Sequence, residues 1–194
     1  MNRAVFLDRD GTVNEEVGYL TDLDKLRLIP GAGAAIRLMN EAGFTVILVT
    51  NQSGVARGYF PERLVHEAHA RLGDMLKAED ARIDGVYFCP HHPVAGDSQY
   101  TMDCDCRKPK TGLIDRAVKD FGIDIRHSYL VGDKWSDVEL AQRAGVHAIL
   151  VESGFAADDP GNRRPEHVRD PDFIARDITD AAVWIIARES GSGR

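Results

Sequence analysis

Asp8 and Asp10 stand two residues apart where an apolar run ends, in Ala4-Val5-Phe6-Leu7-Asp8-Arg9-Asp10-Gly11-Thr12. Two carboxylates this close resist sharing full charge unless a cation lies between them or one keeps its proton. At the carboxyl end of a buried strand they would sit where an open α/β sheet keeps its chemistry. Metal-assisted catalysis is the natural use of such a pair, and a solvated acidic turn is the alternative for this segment by itself. A second apolar run, Tyr129 to Gly132, leads into Asp133-Lys134, with Asp137 three residues on. Another hard oxygen ligand at the same sheet edge strengthens a magnesium site. Asp137 reads either as a group behind that site or, more ordinarily, as an acid at a helix N-terminus.

Two further clusters have phosphate-binding chemistry. Val49-Thr50-Asn51-Gln52-Ser53-Gly54 offers hydroxyls, amides and backbone N–H groups that cradle phosphate oxygens, or that simply end a strand and cap a helix. Arg107-Lys108-Pro109-Lys110 is a phosphate clamp or a solvated charge run ahead of a helical stretch. Cys89-Pro90-His91 and Cys104-Asp105-Cys106 supply three thiols and an imidazole, a Cys₃His set suited to tetrahedral structural zinc. Their odd number and tight spacing do not form a secreted disulfide framework. With no open coordination position, that metal is expected to fold the loop from Cys89 to Cys106 and to take no part in catalysis. His92 is the spare imidazole, expected behind the metal ligands or exposed.

Short apolar runs must position these groups: Ala4 to Leu7, Thr45 to Thr50, Gly85 to Phe88, Tyr129 to Gly132 and His147 to Val151. Helical periodicity begins after Pro61 and runs through Leu64, Val65, Ala68, Leu72, Met75 and Leu76. Shorter helices are expected from Ala32 to Glu41, Leu113 to Phe121 and Asp137 to Ala144, ended by Gly43, Gly122 and Gly145. The alternation predicts an α/β fold, a three-layer Rossmann-like parallel sheet with helices on both faces. Phe173, Ile174, Ile178, Ala181, Ala182, Ile185 and Ile186 suggest a closing helix after the polar stretch from Asp158 to Asp172, with Ser190 to Arg194 frayed. Neither Thr12 to Gly31 nor Gly58 to Gly85 looks long enough for a separate cap domain, so a zinc-stapled loop is left to shape the pocket. A single domain over residues 1–194 is the expected organisation.

The balance of 24 Lys plus Arg against 31 Asp plus Glu gives a net charge of -7, which repels a polyanion and argues against nucleic acid as a partner. No apolar run is long enough to span a bilayer, and no leader precedes the first strand, so no membrane partner is expected and a cytoplasmic monomer is the simplest expectation.

Taken in order, Asp8-Arg9-Asp10-Gly11-Thr12, Thr50, Lys108 and Gly132-Asp133 resemble the four motifs of the haloacid dehalogenase phosphatase superfamily, over most of the chain up to about Ser153. The resemblance implies that Asp8 attacks phosphorus, and that Asp10 protonates the leaving alkoxide and then deprotonates the hydrolytic water. It also implies that Thr50 and Lys108 hold the transferring oxygens, and that Mg²⁺ is bound by Asp8, the Asp10 backbone carbonyl and Asp133. Lys134 would touch the same phosphate or orient Asp133. With the cysteine motifs added, the chain is similar to the zinc-bearing branch that acts on a heptose bisphosphate, a small phosphosugar. The alternative is the histidinol-phosphate branch, whose zinc loop is typically shorter than the stretch from His91 to Cys104 here. Implied substrate contacts are Glu16, Val17, Gly18, Tyr19, Asn51, Gln52 and Ser53, with Arg107 suited to a second phosphate by its planar fork of donors. An idle phosphosugar-binding protein is the reading from another class, disfavoured because Asp8, Asp10, Thr50, Lys108 and Asp133 are all present.

Overall fold

Alternating side chains along the first strand, β1 (Ala4–Leu7), divide the core in two. Val5 and Leu7 join one buried cluster and Ala4 and Phe6 the other. All four are fully buried, as expected of a parallel strand covered on both faces. The structure is a computed structural model that describes residues 2–96, 99–154 and 162–191. Around β1 lie β2 (Thr45–Asn51), β3 (Gly85–Cys89), β4 (Tyr129–Gly132), β5 (His147–Val151) and β6 (Phe173–Ala175). They form one parallel sheet in the order β3-β2-β1-β4-β5-β6.

The helices are α1 (Ala32–Glu41), α2 (Glu62–Lys77), α3 (Gly112–Phe121), α4 (Trp135–Ala144) and α5 (Ile178–Gly191). Residues of α1, α2 and α5 share the cluster of Val5 and Leu7, whereas α3 and α4 share that of Ala4 and Phe6. The three-layer expectation therefore holds. Gly122 and Gly145 end α3 and α4 in the left-handed conformation, with φ of 62° and 80°.

One expected element is corrected. Phe173 and Ile174 do not begin the closing helix; Phe173, Ile174 and Ala175 pair with Ile149, Leu150 and Val151 as the edge strand β6. A short apolar run fits strand or helix equally well by periodicity, and here the unpaired edge of β5 decides. Asp177 then starts α5, its Oδ1 accepting from the Asp180 backbone N–H at 2.9 Å. The first part of the expected polar stretch, through residue 161, and the tail at 192–194 lie outside the described residues.

Among the described residues no cap domain interrupts the sheet. Between β1 and α1 there is only the short turn Leu23–Lys25, and α2 alone fills the connection from β2 to β3. A satellite cluster of Val55, Phe60 and Val65, with Phe88 and Tyr100 against it, joins the loop after β2 to the cysteine loop. A Cβ at Gly54 would stand 2.3 Å from the Phe60 ring, so a larger residue here would have to displace that ring. No helix among the described residues is long and apolar enough to cross a membrane.

Candidate active site and metal cluster

The strand order reverses between β1 and β4, which opens a crevice beyond their carboxyl ends. The sequence puts Asp8 just after β1 and Asp133 just after β4, so tertiary pairing of these strands brings together acids 125 positions apart. The Asp8 backbone N–H bonds to Val131 O at 2.9 Å, fixing the junction. Lys108 reaches in from the basic cluster. Its Nζ lies 2.8 Å from Asp8 Oδ1 and 2.6 Å from Asp137 Oδ1, and donates to Val49 O at 3.1 Å. Burial disfavours the ammonium, but Asp137 and Asp8 outweigh it and raise the Lys108 pKa.

Asp137 is therefore no ordinary surface acid at a helix end. It is fully buried, and its second oxygen accepts from the Lys134 backbone N–H at 3.2 Å, so that it caps α4 and pairs with Lys108 at once. A capping acid one turn beyond Asp133 was the available signal, because capping turns its carboxylate back toward the strand end.

Carboxylate oxygens of Asp8, Asp133 and Asp137 lie within 4.8 Å of one another. Both oxygens of Asp133 are buried and without a hydrogen-bond partner. Burial, then the charge of Asp8, push its pKa up to about 8. Gly11, with φ of 82°, fits this packing: a Cβ there would stand 2.4 Å from Asp133 Oδ2. A cluster of hard oxygens with an unsatisfied carboxylate fits a divalent cation.

Asp10 is differently placed. Arg9 Nε (3.0 Å), Asn14 Nδ2 (3.0 Å) and Gln52 Nε2 (2.8 Å) all donate to its carboxylate, and Arg9 Nη2 donates to both oxygens. Burial raises the Asp10 pKa, but Arg9, Asn14 and Gln52 together bring it below the ordinary value. Two similar acids thus occupy opposite environments, a separation enzymes use to divide roles. Arg9 was not among the residues expected at the site, although its chain neighbours were.

Asp10, Lys108 and Asp133 border a cavity of about 520 Å³, whose wall does not include Asp8 or Asp137. Asp10, Glu16, Gly18, Tyr19, Asn51, Gln52, Ser53, Arg107, Lys108, Asp133 and Lys134 line it, which gathers most of the residues expected outside the cysteine set. Val17 belongs to the same turn but is 39 % exposed and stands outside the wall. Thr50 is buried behind it and accepts from Gln52 Nε2 at 3.0 Å. Lys134 pairs with Glu16 at 3.1 Å and makes no hydrogen bond to Asp133. Arg107 spends one nitrogen on the His91 carbonyl, at 3.1 Å.

Cys89, His91, Cys104 and Cys106 converge beside this cavity, with their ligand atoms within 4.8 Å of one another. Sγ of Cys104 is 3.5 Å from that of Cys89 and 3.3 Å from that of Cys106, and His91 Nδ1 is 3.3 Å from Cys106 Sγ. Thiolates bound tetrahedrally at about 2.3 Å would stand roughly 3.7 Å apart, so the four donors are spaced as a set that could hold a metal ion. His92 is not a donor to it. Its Nδ1 accepts from the backbone N–H of Val94 (3.2 Å) and Ala95 (2.9 Å), and its Nε2 faces Arg57 at 3.2 Å.

Fold and site together define a haloacid dehalogenase-type phosphatase, a phosphoric monoester hydrolase. The family model described as HAD-hydrolase-like matches residues 105–181. The D-glycero-D-manno-heptose-1,7-bisphosphate 7-phosphatase of Thermosynechococcus vestitus is 44 % identical over 186 residues, covering 94 % of each chain. The corresponding Haemophilus ducreyi enzyme, named for the beta anomer, is 43 % identical over 86 % of this chain and 92 % of its own. The crystal structure of the D,D-heptose 1,7-bisphosphate phosphatase from B. bronchiseptica with magnesium and phosphate superposes with a TM-score of 0.82, at 28 % identity over 96 % of this chain and 99 % of that one. The chain belongs to the family of D-glycero-D-manno-heptose-1,7-bisphosphate 7-phosphatases.

Proposed function

We propose that this single-domain protein hydrolyses the 7-phosphate of D-glycero-D-manno-heptose 1,7-bisphosphate through an aspartyl-phosphate on Asp8, in the synthesis of a nucleotide-activated heptose. The observation that carries this is the grouping of Asp8, Lys108, Asp133 and Asp137 under a polar cavity, in a chain that matches heptose bisphosphate phosphatases along almost its whole length.

Asp8 attacks phosphorus, displacing the sugar alkoxide, and Asp10 supplies the proton that the alkoxide takes away. Asp10 then removes a proton from the water that attacks the acyl phosphate, and inorganic phosphate and free Asp8 result. Thr50 and Lys108 hold the phosphoryl oxygens while charge shifts between them. Asp8, Asp133 and the Asp10 carbonyl would hold Mg²⁺, which supplies charge neutralisation at the phosphoryl oxygens. Glu16, Gly18, Tyr19, Asn51, Gln52 and Ser53 surround the sugar, with Val17 at the edge of that turn. Lys134, restrained by Glu16, stands at the same wall as a second cation for substrate oxygens.

Arg107 is the proposed contact for the phosphate that is not cleaved. Arg107→Ala is expected to lower kcat/KM for the heptose bisphosphate by roughly ten- to a thousandfold, the equivalent of losing a charge-assisted contact. A heptose monophosphate should lose far less. Side-by-side kinetics on the α and β bisphosphates, the monophosphate and histidinol phosphate check this; a preference for histidinol phosphate, or uniform loss in the variant, would overturn the substrate assignment.

We assign the Cys89, His91, Cys104 and Cys106 set to structural zinc. Its four donors close the coordination sphere, so it folds the loop without joining the reaction. Cys104→Ser is expected to release the metal and lower the melting temperature, because an alcohol is a far poorer ligand than a thiolate at neutral pH. Metal analysis beside thermal melting checks the result. Withholding Mg²⁺ should stop turnover and leave the melt nearly unchanged.

A further inference from the structure

Arg9 is only 2 % exposed, and every nitrogen of its guanidinium head has a partner. Nε and Nη2 bind the Asp10 carboxylate, Nη2 also donates to Gln52 Oε1 at 3.0 Å, and Nη1 lies 3.4 Å from Nε2 of His69. Three of the donors that hold Asp10 therefore come from one side chain or its neighbour Gln52, and the far side of that side chain rests on His69. His69 belongs to α2, 60 positions along the chain from Arg9, outside all four phosphatase motifs.

We propose that His69 is a positioning residue for the acid–base step, its Nε2 accepting from Arg9 and so holding the guanidinium against Asp10. The proposal rests on the reading of Asp10 as the acid–base group. A guanidinium offers donors only, so the partner nitrogen must be an acceptor, with the His69 proton on Nδ1. Burial, followed by the positive charge of Arg9, lowers the His69 pKa to about 3 and keeps the ring neutral. The ring is also fixed from the side: it stands edge-on to Phe88 of β3, with centroids 5.5 Å apart and planes at 62°. Without His69, Nη1 of a buried cation has no acceptor in this direction, and the guanidinium is free to turn toward water and take Asp10 with it.

A residue that aims Asp10 should matter most where Asp10 must protonate the leaving group. A sugar alkoxide needs that proton, whereas an activated aryl phosphate needs little help. His69→Leu keeps bulk against Phe88 and removes the acceptor; His69→Gln keeps an amide oxygen able to accept. Both should be assayed in the full chain with Mg²⁺, on heptose bisphosphate and 4-nitrophenyl phosphate, beside Asp10→Asn. The expected result for His69→Leu is a loss of about ten- to a hundredfold in kcat on the sugar phosphate, KM within about twofold, and a loss under about threefold on the aryl phosphate. His69→Gln should recover most of it. His69→Phe serves as the acceptor-free variant if the leucine protein does not show a native melt.

Equal losses on both substrates, an effect confined to KM, or a glutamine variant no better than leucine would overturn the role of His69. If Asp10→Asn stays selective for the poor leaving group in those same assays, only His69 is refuted. If Asp10→Asn loses both substrates equally, the acid–base reading of Asp10 fails, and the proposal falls with it.

Discussion

Asp8→Asn is expected to abolish measurable turnover, a fall of roughly 10⁴-fold or more, because the amide that replaces the carboxylate is no nucleophile toward phosphorus. The fold should survive. Asparagine occupies nearly the same volume, and the Asp8 backbone N–H still bonds to Val131 O. Lys108 loses one of its two carboxylates but keeps Asp137 at 2.6 Å and the Val49 carbonyl at 3.1 Å, so the buried ammonium stays paired. Steady-state rates on any phosphate ester, a thermal melt, and acid-quench trapping of a phosphoenzyme from the parent check the expectation. A variant that turns over at the parental rate would remove Asp8 from the role of nucleophile, whatever the substrate.

Lys108→Met should show the second large effect, and it should show it twice. Loss of a preorganised cation beside the transferring oxygens costs about 10²- to 10³-fold in kcat. It also strips Asp8 and Asp137 of the ammonium that pairs with both, leaving the cluster to the charge of Lys134, and breaking such a buried pair costs roughly 3–5 kcal/mol where the remaining charge stays uncompensated. The pH dependence has a definite sign. Burial and the charge of Asp8 already push Asp133 up to about 8, and burial above all pushes Asp137 up to about 6. A carboxyl raised in the folded state binds more protons there than in the unfolded chain, so stability falls as pH rises from its unfolded value to its folded one. Removing Lys108 raises these groups further. Without added Mg²⁺, the stability gap between parent and Lys108→Met should therefore widen from about pH 5 to pH 8, near the unfolded Asp value of about 3.9 at its smallest. Denaturant melts across that range test it; a gap that narrows with rising pH would mean that the clustered acids do not depend on Lys108.

Much of this site is legible in the chain because it is local. Asp8 with Asp10, and Cys104 with Cys106, are fixed within three residues of one another, and an apolar run before each acid is enough to place it at a strand end. The glycines at 122 and 145 stop their helices for a backbone reason that needs no tertiary partner. The donor chemistry of Cys89, His91, Cys104 and Cys106 likewise restricts what metal they suit before any distance is known.

What the tertiary structure alone decided concerns which elements become neighbours and which way side chains turn. Phe173 and Ile174 take strand form because β5 offers an unpaired edge, a fact absent from their own spacing. Asp137 leaves the category of simple helix caps because parallel pairing of β1 with β4 brings Asp8 close to it, and Asn51 and Val49 of β2 hold Lys108 against it. Arg9 lies between two expected catalytic acids, yet only packing shows its head turned onto Asp10 and backed by His69 of α2. Motif spacing encodes chemistry along the backbone, whereas the charge each acid carries is set by burial and by partners that arrive from distant segments, and those are specified only when the whole sheet has formed.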